Sequence, residues 1–308
     1  MHRTIEIAVP PGETDRLLRE LGTMDDVVGL SVERGASLKP PGDVVTVHAL
    51  NRGTDAVLKC AATARRGGSV SIVTAEVASI IDPEHSAAVD NDVDEAVWEE
   101  METGLRHQGR ITPNYLLLMA TGGAIAAAGL VSEAVPQAIA FVGASVIAPG
   151  FEPIVKIPLG LILRRWEVVR RGLVSVGAGY AVLIAAAAAM FLLLRAAGAT
   201  TVDEFVNNPE VEKIAHPTIL EGMLSACAAV AGVVMVAAYR RSVIAGPLIV
   251  LVLIPAAAAA GVALVSGQPA LLGLALRRLG LDALLIVGLG ALVIAVKQAT
   301  IHRRAPVV

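Results

Sequence analysis

The sequence predicts an α-helical polytopic membrane protein of about six transmembrane helices, preceded by a small α+β soluble domain. Two observations carry that expectation. Long apolar runs dominate from Tyr115 onward and confine charge to the gaps between them, whereas residues before about Gly109 have an ordinary charge density. Over the 308 residues, 55% are hydrophobic and only 17% charged, where soluble chains average roughly a quarter charged.

The soluble part, residues 1–82, is read from its periodicity. Arg3 to Val9 alternate apolar and polar side chains as a half-buried strand does, and Pro10-Pro11-Gly12 end it. Leu17, Leu18 and Leu21 share one face of a helix over Glu13–Gly22. Val27–Glu33 and Val44–Leu50 read as strands separated by the turn Lys39-Pro40-Pro41-Gly42-Asp43. Thr54–Arg65 is a helix closed by Gly67 and Gly68, and Ser69–Ile81 is the last strand. This βαββαβ order is ferredoxin-like. Such a domain either senses a small-molecule ligand or serves as an assembly module, since one fold hosts unrelated functions.

Residues 83–112 form an acidic connector, in which Val93, Val97, Trp98 and Met101 recur at helical spacing and predict an amphipathic helix. Its carboxylates are read as a solvated face rather than a metal site. Thr112 or Asn114 is expected to cap the next helix, with Pro113 in its first turn.

Residues 113–308 hold the transmembrane domain. A spanning helix needs roughly 20 apolar residues, and six stretches qualify or nearly so: Tyr115–Val131, Val135–Leu163, Gly172–Leu194, Thr218–Ala238, Ser242–Val265 and Asp282–Val296. With the N-terminus inside, the inner segments carry Arg106, Arg110, Arg164, Arg165, Arg170, Arg171, Arg240, Arg241, Lys297, Arg303 and Arg304. The outer ones hold only Arg195, Lys213, Arg277 and Arg278. The expectation is a multi-pass protein of the inner (plasma) membrane with both termini cytoplasmic. The first twenty residues lack the apolar core of a signal peptide, so the later spans are expected to direct insertion. Abundant small residues in the spans, such as Gly122, Gly123, Gly177, Gly179, Gly288 and Gly290, favour close helix packing, within one chain or between subunits, and a homo-oligomer is the expected assembly.

SVIAPGFEPIVKIP, Ser145–Pro158, and SVIAGPLIVLVLIP, Ser242–Pro255, share their opening residues and closing proline at a constant offset of 97. The pair divides the domain into two three-span halves, whose odd span count forces opposite orientations, the logic of inverted-repeat transporters. Pro149, Pro153 and Pro158 interrupt the second span, and Pro247 and Pro255 the fifth. Carbonyls freed in this way need protein or a wet cavity around them. Glu152 and Lys156 are the clearest ionisable pair inside a span, at the i,i+4 spacing that suits an ion pair. They mark either a pathway or a structural pair near the interface, with Lys156 snorkelling. Glu221 and Asp282 lie near predicted span ends and are read as interfacial. The candidate substrate or ion pathway is therefore Pro149, Glu152, Pro153, Lys156, Pro158, Gly246, Pro247 and Pro255.

The segments PNYLLLMATGGAIAAAGL, GASVIAPGFEPIVKIPLGL and AGPLIVLVLIPAAAAAGVAL resemble the bacterial and archaeal domain of unknown function 389 family. Gly143, Ala144, Ile147, Ala148, Pro149, Pro153 and Ile154 match its second-span string. Pro255 is followed by Ala256 where members often carry a second proline. The resemblance implies a membrane architecture and supplies no activity.

Two functions compete on these grounds: a transporter or channel-like protein with a cytoplasmic regulatory domain, and a non-transporting receptor or scaffold whose soluble domain binds a ligand or partner. An enzyme is not expected, because neither a zinc-binding HExxH, nor a phosphate-binding GxxxxGK[ST], nor a GxSxG nucleophile elbow occurs. The net charge of −3 and the lack of a basic, aromatic-studded stripe exclude nucleic acid as partner. Cys60 and Cys227 fall in different halves and are read as small apolar residues. The expected partners are the lipid bilayer and further copies of the chain; substrate and cofactor stay unnamed.

Overall fold

The computed structural model describes residues 2–238, 245–302 and 306, with the side chains of 108 and 245–251 outside that description. The chain divides into two compact units, Met1–Glu99 with Thr300–Val308, and Glu100–Ala299.

In the first unit, alternation along β1 (His2–Val9) buries Ile5, Ile7 and Val9 on one face. Its neighbours are β3 (Pro41–Ala49), where Ile5 faces Val47 and Ile7 faces Val45, and β4 (Ser71–Val77), where Ile7 faces Ile72. With β2 (Val27–Leu38) the sheet is antiparallel throughout, in the order β2-β3-β1-β4. Helices α1 (Pro11–Leu21) and α2 (Thr54–Thr63) supply Leu17, Leu21, Val57, Leu58 and Ala61 to the same core. Each such large side chain, fully buried, stabilises the unit by about 1.5–3 kcal/mol.

Strand β2 runs five residues beyond the predicted Glu33, through an irregularity between Glu33 and Ser37. Gly35 sits there at φ +68°, the left-handed conformation a bulge needs and a side chain resists. The adjoining corner is tied by Asp43, whose carboxylate accepts from Thr14 Oγ1 at 2.7 Å and from the Gly35 amide at 2.8 Å. These bonds hold the Asp43 carboxyl below the ordinary carboxylate range, Thr14 contributing most.

After α3 (Ser86–Asp90) the expected amphipathic helix starts later than the spacing suggested. Residues 92–97 are not helical, because Asp92 accepts from the backbone amides of Asn51 at 2.6 Å and Arg52 at 3.1 Å. Helix α4 begins only at Trp98 and runs to Gln108. The end of the chain also belongs to this unit: His302 Nδ1 lies 2.7 Å from Asp55 Oδ2, and its ring is 4.7 Å from that of Trp98.

The second unit is helical. Its elements are α5 (Pro113–Gly129), α6 (Ala134–Ile147), α7 (Phe151–Ile162), α8 (Trp166–Ala196), α9 (Val202–Val206), α10 (Pro209–Ala215), α11 (Ile219–Ala237), α12 (Ala245–Val265) and α13 (Pro269–Thr300). Thr112 caps α5 through Oγ1, 3.1 Å from the Tyr115 amide, with Pro113 at the first turn. Thr218 and Glu221 close a capping box at the start of α11, which accounts for Glu221 at that boundary.

Among the described residues, α8, α11 and α13 are long and apolar enough to cross a membrane. The α6–α7 pair, bent by 51°, makes a fourth if taken as one broken span. At 17 residues, α5 is about 25 Å long against a hydrocarbon core of about 30 Å. In α12 the described apolar stretch, Val252–Val265, is shorter than a spanning helix needs. Apolar helices able to span a bilayer are present, and length and composition support three or four of them.

Helix α8 is the hub, packed against α5, α7 and α12. The approach is close because glycine faces it: a Cβ on Gly123 of α5 would lie 2.3 Å from the Leu183 carbonyl oxygen. One on Gly261 of α12 would lie 2.3 Å from that of Ile184. The first copy of the paired sequence segments is split between α6 and α7. Of the second, Ser242–Ile244 lie outside the described residues and the remainder, from Ala245, is one helix with Pro255 inside.

Candidate functional site

The proline-rich second segment does break. Helix α6 ends at Ile147, residues 148–150 are non-helical, and α7 restarts at Phe151. Pro149 sits in the break, Pro153 in the first turn of α7, and Pro158 within α7, where its ring would lie 3.2 Å from a Cβ on Gly290. The carbonyl of Gly150 is met by the Tyr180 hydroxyl at 3.4 Å, a long bond from α8. Tyr115, also near this region, donates its hydroxyl to the Ser175 carbonyl at 2.9 Å. Freed backbone at the break is thus supported by protein.

Glu152 lies in the first turn of α7, where the positive end of the helix dipole favours an anion. Its Oε2 is buried and, among the described residues, has no hydrogen-bond partner. The ion pair that the i,i+4 spacing suggests is not closed. Lys156, 5% exposed, instead donates Nζ to the carbonyl of Gly109 at 2.6 Å, so it does not snorkel outward on α7 but ties α7 to the residue just beyond α4. A backbone carbonyl as partner leaves no trace in sequence.

The two proline-bearing segments are brought together, since α12 packs on both α6 and α7. Pro255, buried in α12, lines a concavity of about 160 Å³ with Phe141, Glu210, Lys213 and Arg278. Lys156 lines other concavities, with Arg106 and Arg171 among their walls. The side chains of Gly246 and Pro247 lie outside the described residues, although both positions fall within α12.

One polar cluster departs from the interfacial reading. Asp282 is not at a span end but well inside the 32-residue α13, and it is 5% exposed. Arg278 one turn earlier, expected in an outer loop, is 6% exposed and donates Nε to Asp282 Oδ2 at 2.7 Å and Nη2 to Ser225 Oγ of α11 at 3.1 Å. Packing against α11 buries the pair, and the mutual neutralisation makes a helix through it tolerable. The signal available was the i,i+4 spacing of Arg278 and Asp282 in an otherwise apolar stretch. Among the described residues no group of three or more His, Cys, Asp or Glu side chains is placed to hold a metal ion.

No curated protein and no solved structure matches the chain. Residues 145–294, which run from Ser145 in α6 to Ile294 in α13 and include the break, Glu152, Lys156, Pro255 and the Arg278–Asp282 pair, match the family model described as domain of unknown function (DUF389). Through those residues, the chain belongs to the DUF389 family.

Proposed function

We propose that the chain is a membrane transporter or channel-like protein of six crossings, arranged as two inverted three-helix halves, with a cytoplasmic regulatory domain. The observation that carries the reading is the 51° break between α6 and α7, with a Glu152 carboxylate oxygen, partnerless among the described residues, in the first turn after it. Broken helices carrying an ionisable group are the usual construction of a transport site. Supporting the two halves, α8 and α13 are 31 and 32 residues long, and each follows a segment with a proline inside its helix. The strand order β2-β3-β1-β4 supports a ferredoxin-like regulatory domain. On this reading the protein sits in the inner membrane as a homo-oligomer, moves its substrate by alternating access and performs no covalent chemistry.

The test is reconstitution in proteoliposomes, with fluxes of protons, alkali cations and simple anions followed under an imposed pH gradient. Glu152→Gln is expected to slow the flux at least about tenfold and to flatten its pH dependence. Unchanged flux and pH dependence would remove Glu152 from the mechanism, and no flux of any probe would remove transport. The second reading is a receptor or scaffold, favoured by the close glycine-mediated seams of α5 and α12 on α8. It expects silent proteoliposomes and a saturable ligand or partner for residues 1–82.

A further inference from the structure

Within the helical unit, a cavity of about 570 Å³ is lined by Arg106, Arg110, Lys156, Arg170 and Arg171. Its volume is that of a small-molecule site, and no aspartate or glutamate contributes to its wall. Two of the five cations are neutralised from outside the wall, Arg106 by Glu102 at 2.7 Å and Arg171 by Glu167. Among the described residues, Arg110 and Arg170 form no ion pair and no side-chain hydrogen bond. Lys156 adds a third charge from a buried position. Among the described residues its one acceptor is the Gly109 carbonyl, which leaves two ammonium protons unclaimed. Two unpaired guanidinium groups and the Lys156 ammonium, whose nearest counter-charge is Glu152 one turn earlier on α7, repel one another in one concavity, and an anion placed between them removes that cost.

The rest of the wall identifies the kind of anion. Ile111 and Val174 line the same cavity and are 40% and 55% exposed, and Leu173, beside Val174 on α8, is also 55% exposed. An apolar rim beside a cationic floor suits a molecule with both a phosphate and hydrocarbon chains. Guanidinium groups recognise phosphate oxygens by paired hydrogen bonds, and basic pockets between membrane helices are built for lipid head groups. We infer that this cavity binds a phosphate group, supplied by an anionic phospholipid. The inference is independent of transport, since a receptor and a transporter alike would carry such a site.

The experiment uses the full chain, purified in an uncharged detergent, with bound lipid quantified by native mass spectrometry. Probes are phosphatidylglycerol, phosphatidylcholine and sodium phosphate. Phosphatidylglycerol is expected to bind in preference to phosphatidylcholine and to resist competition by sodium phosphate. R110Q/R170Q, which alters exposed side chains only, is expected to weaken phosphatidylglycerol binding about thirtyfold. The control K213Q/R277Q, which removes cations outside the cavity, is expected to leave binding unchanged. If sodium phosphate binds equally well and loses affinity in R110Q/R170Q, the lipid assignment is overturned in favour of free phosphate. If R110Q/R170Q binds both probes as the parent does, or the control loses as much, the site itself is overturned.

Discussion

Replacing Arg278 by methionine removes the guanidinium that donates to Asp282 and Ser225 at 2.7 and 3.1 Å. The Asp282 carboxylate is then left 5% exposed with its cation gone. Breaking one side of a buried ion pair costs about 3–5 kcal/mol, whereas replacing both sides by well-packed apolar groups is often close to neutral. Asp282 recovers part of the loss by taking up a proton, so the lower end, about 3 kcal/mol, is the better figure for the single variant. For a unit of this size each kcal/mol moves Tm by roughly 2–4 °C. Arg278→Met is therefore expected to lower the melting temperature by about 6–12 °C. R278M/D282L is expected to stay within about 3 °C of the parent. The assay is thermal denaturation in detergent followed by size-exclusion chromatography. A double variant as unstable as the single one would refute the reasoning, because the loss would then come from packing and not from an orphaned charge.

Three further outcomes follow from the packing of the two units. Gly123→Val forces a side chain to within 2.3 Å of the Leu183 carbonyl oxygen and is expected to cost about 1–3 kcal/mol in the same melting assay. Gly143→Ala, with nothing within 4 Å of the new methyl, should be neutral or slightly stabilising. In the first unit, burial pushes the Cys60 thiol up to about 12, helped by the Glu20 carboxylate that accepts its S–H at 3.1 Å. A raised value keeps the thiol neutral. Its contribution to stability is thus intact below the ordinary value of 9.0 and is lost as pH climbs from there toward 12. In a Cys227→Ala background, alkylation at pH 8.5 should run at least about a hundredfold slower in the folded chain than in the denatured one, and equal rates would contradict the burial.

The N-terminal unit was largely legible because period-two alternation and Pro-Gly punctuation are local signals. Arg3–Val9 and Thr54–Arg65 announced their elements within two residues of the observed ends. What was hidden is non-local. The length of β2 depends on a bulge at Gly35, where alternation fails, and the helical spacing of Val93 and Val97 lost to the amides that Asp92 captures 40 residues earlier. In the membrane part, prolines advertised the α6–α7 break, since their chemistry acts on their own backbone. Arg278 was placed in an outer segment and Asp282 at a span end because a hydropathy window adds up two charges without seeing that they cancel. Lys156 was matched with Glu152 by spacing, while its real partner is a carbonyl 47 positions away.

The return of residues 300–308 to the N-terminal unit fixes a parity. If the N-terminal unit lies wholly on one side of a bilayer, a polypeptide that leaves it after Glu99 and rejoins it at Thr300 makes an even number of traversals between. An odd count would strand His302 on the opposite side from Asp55, to which it is bonded at 2.7 Å. If α8, α11, α13 and the bent α6–α7 pair each traverse once, then α5 and α12 either both traverse or both stop short. On that condition, the bond between His302 and Asp55 sets whether the number of crossings is odd or even.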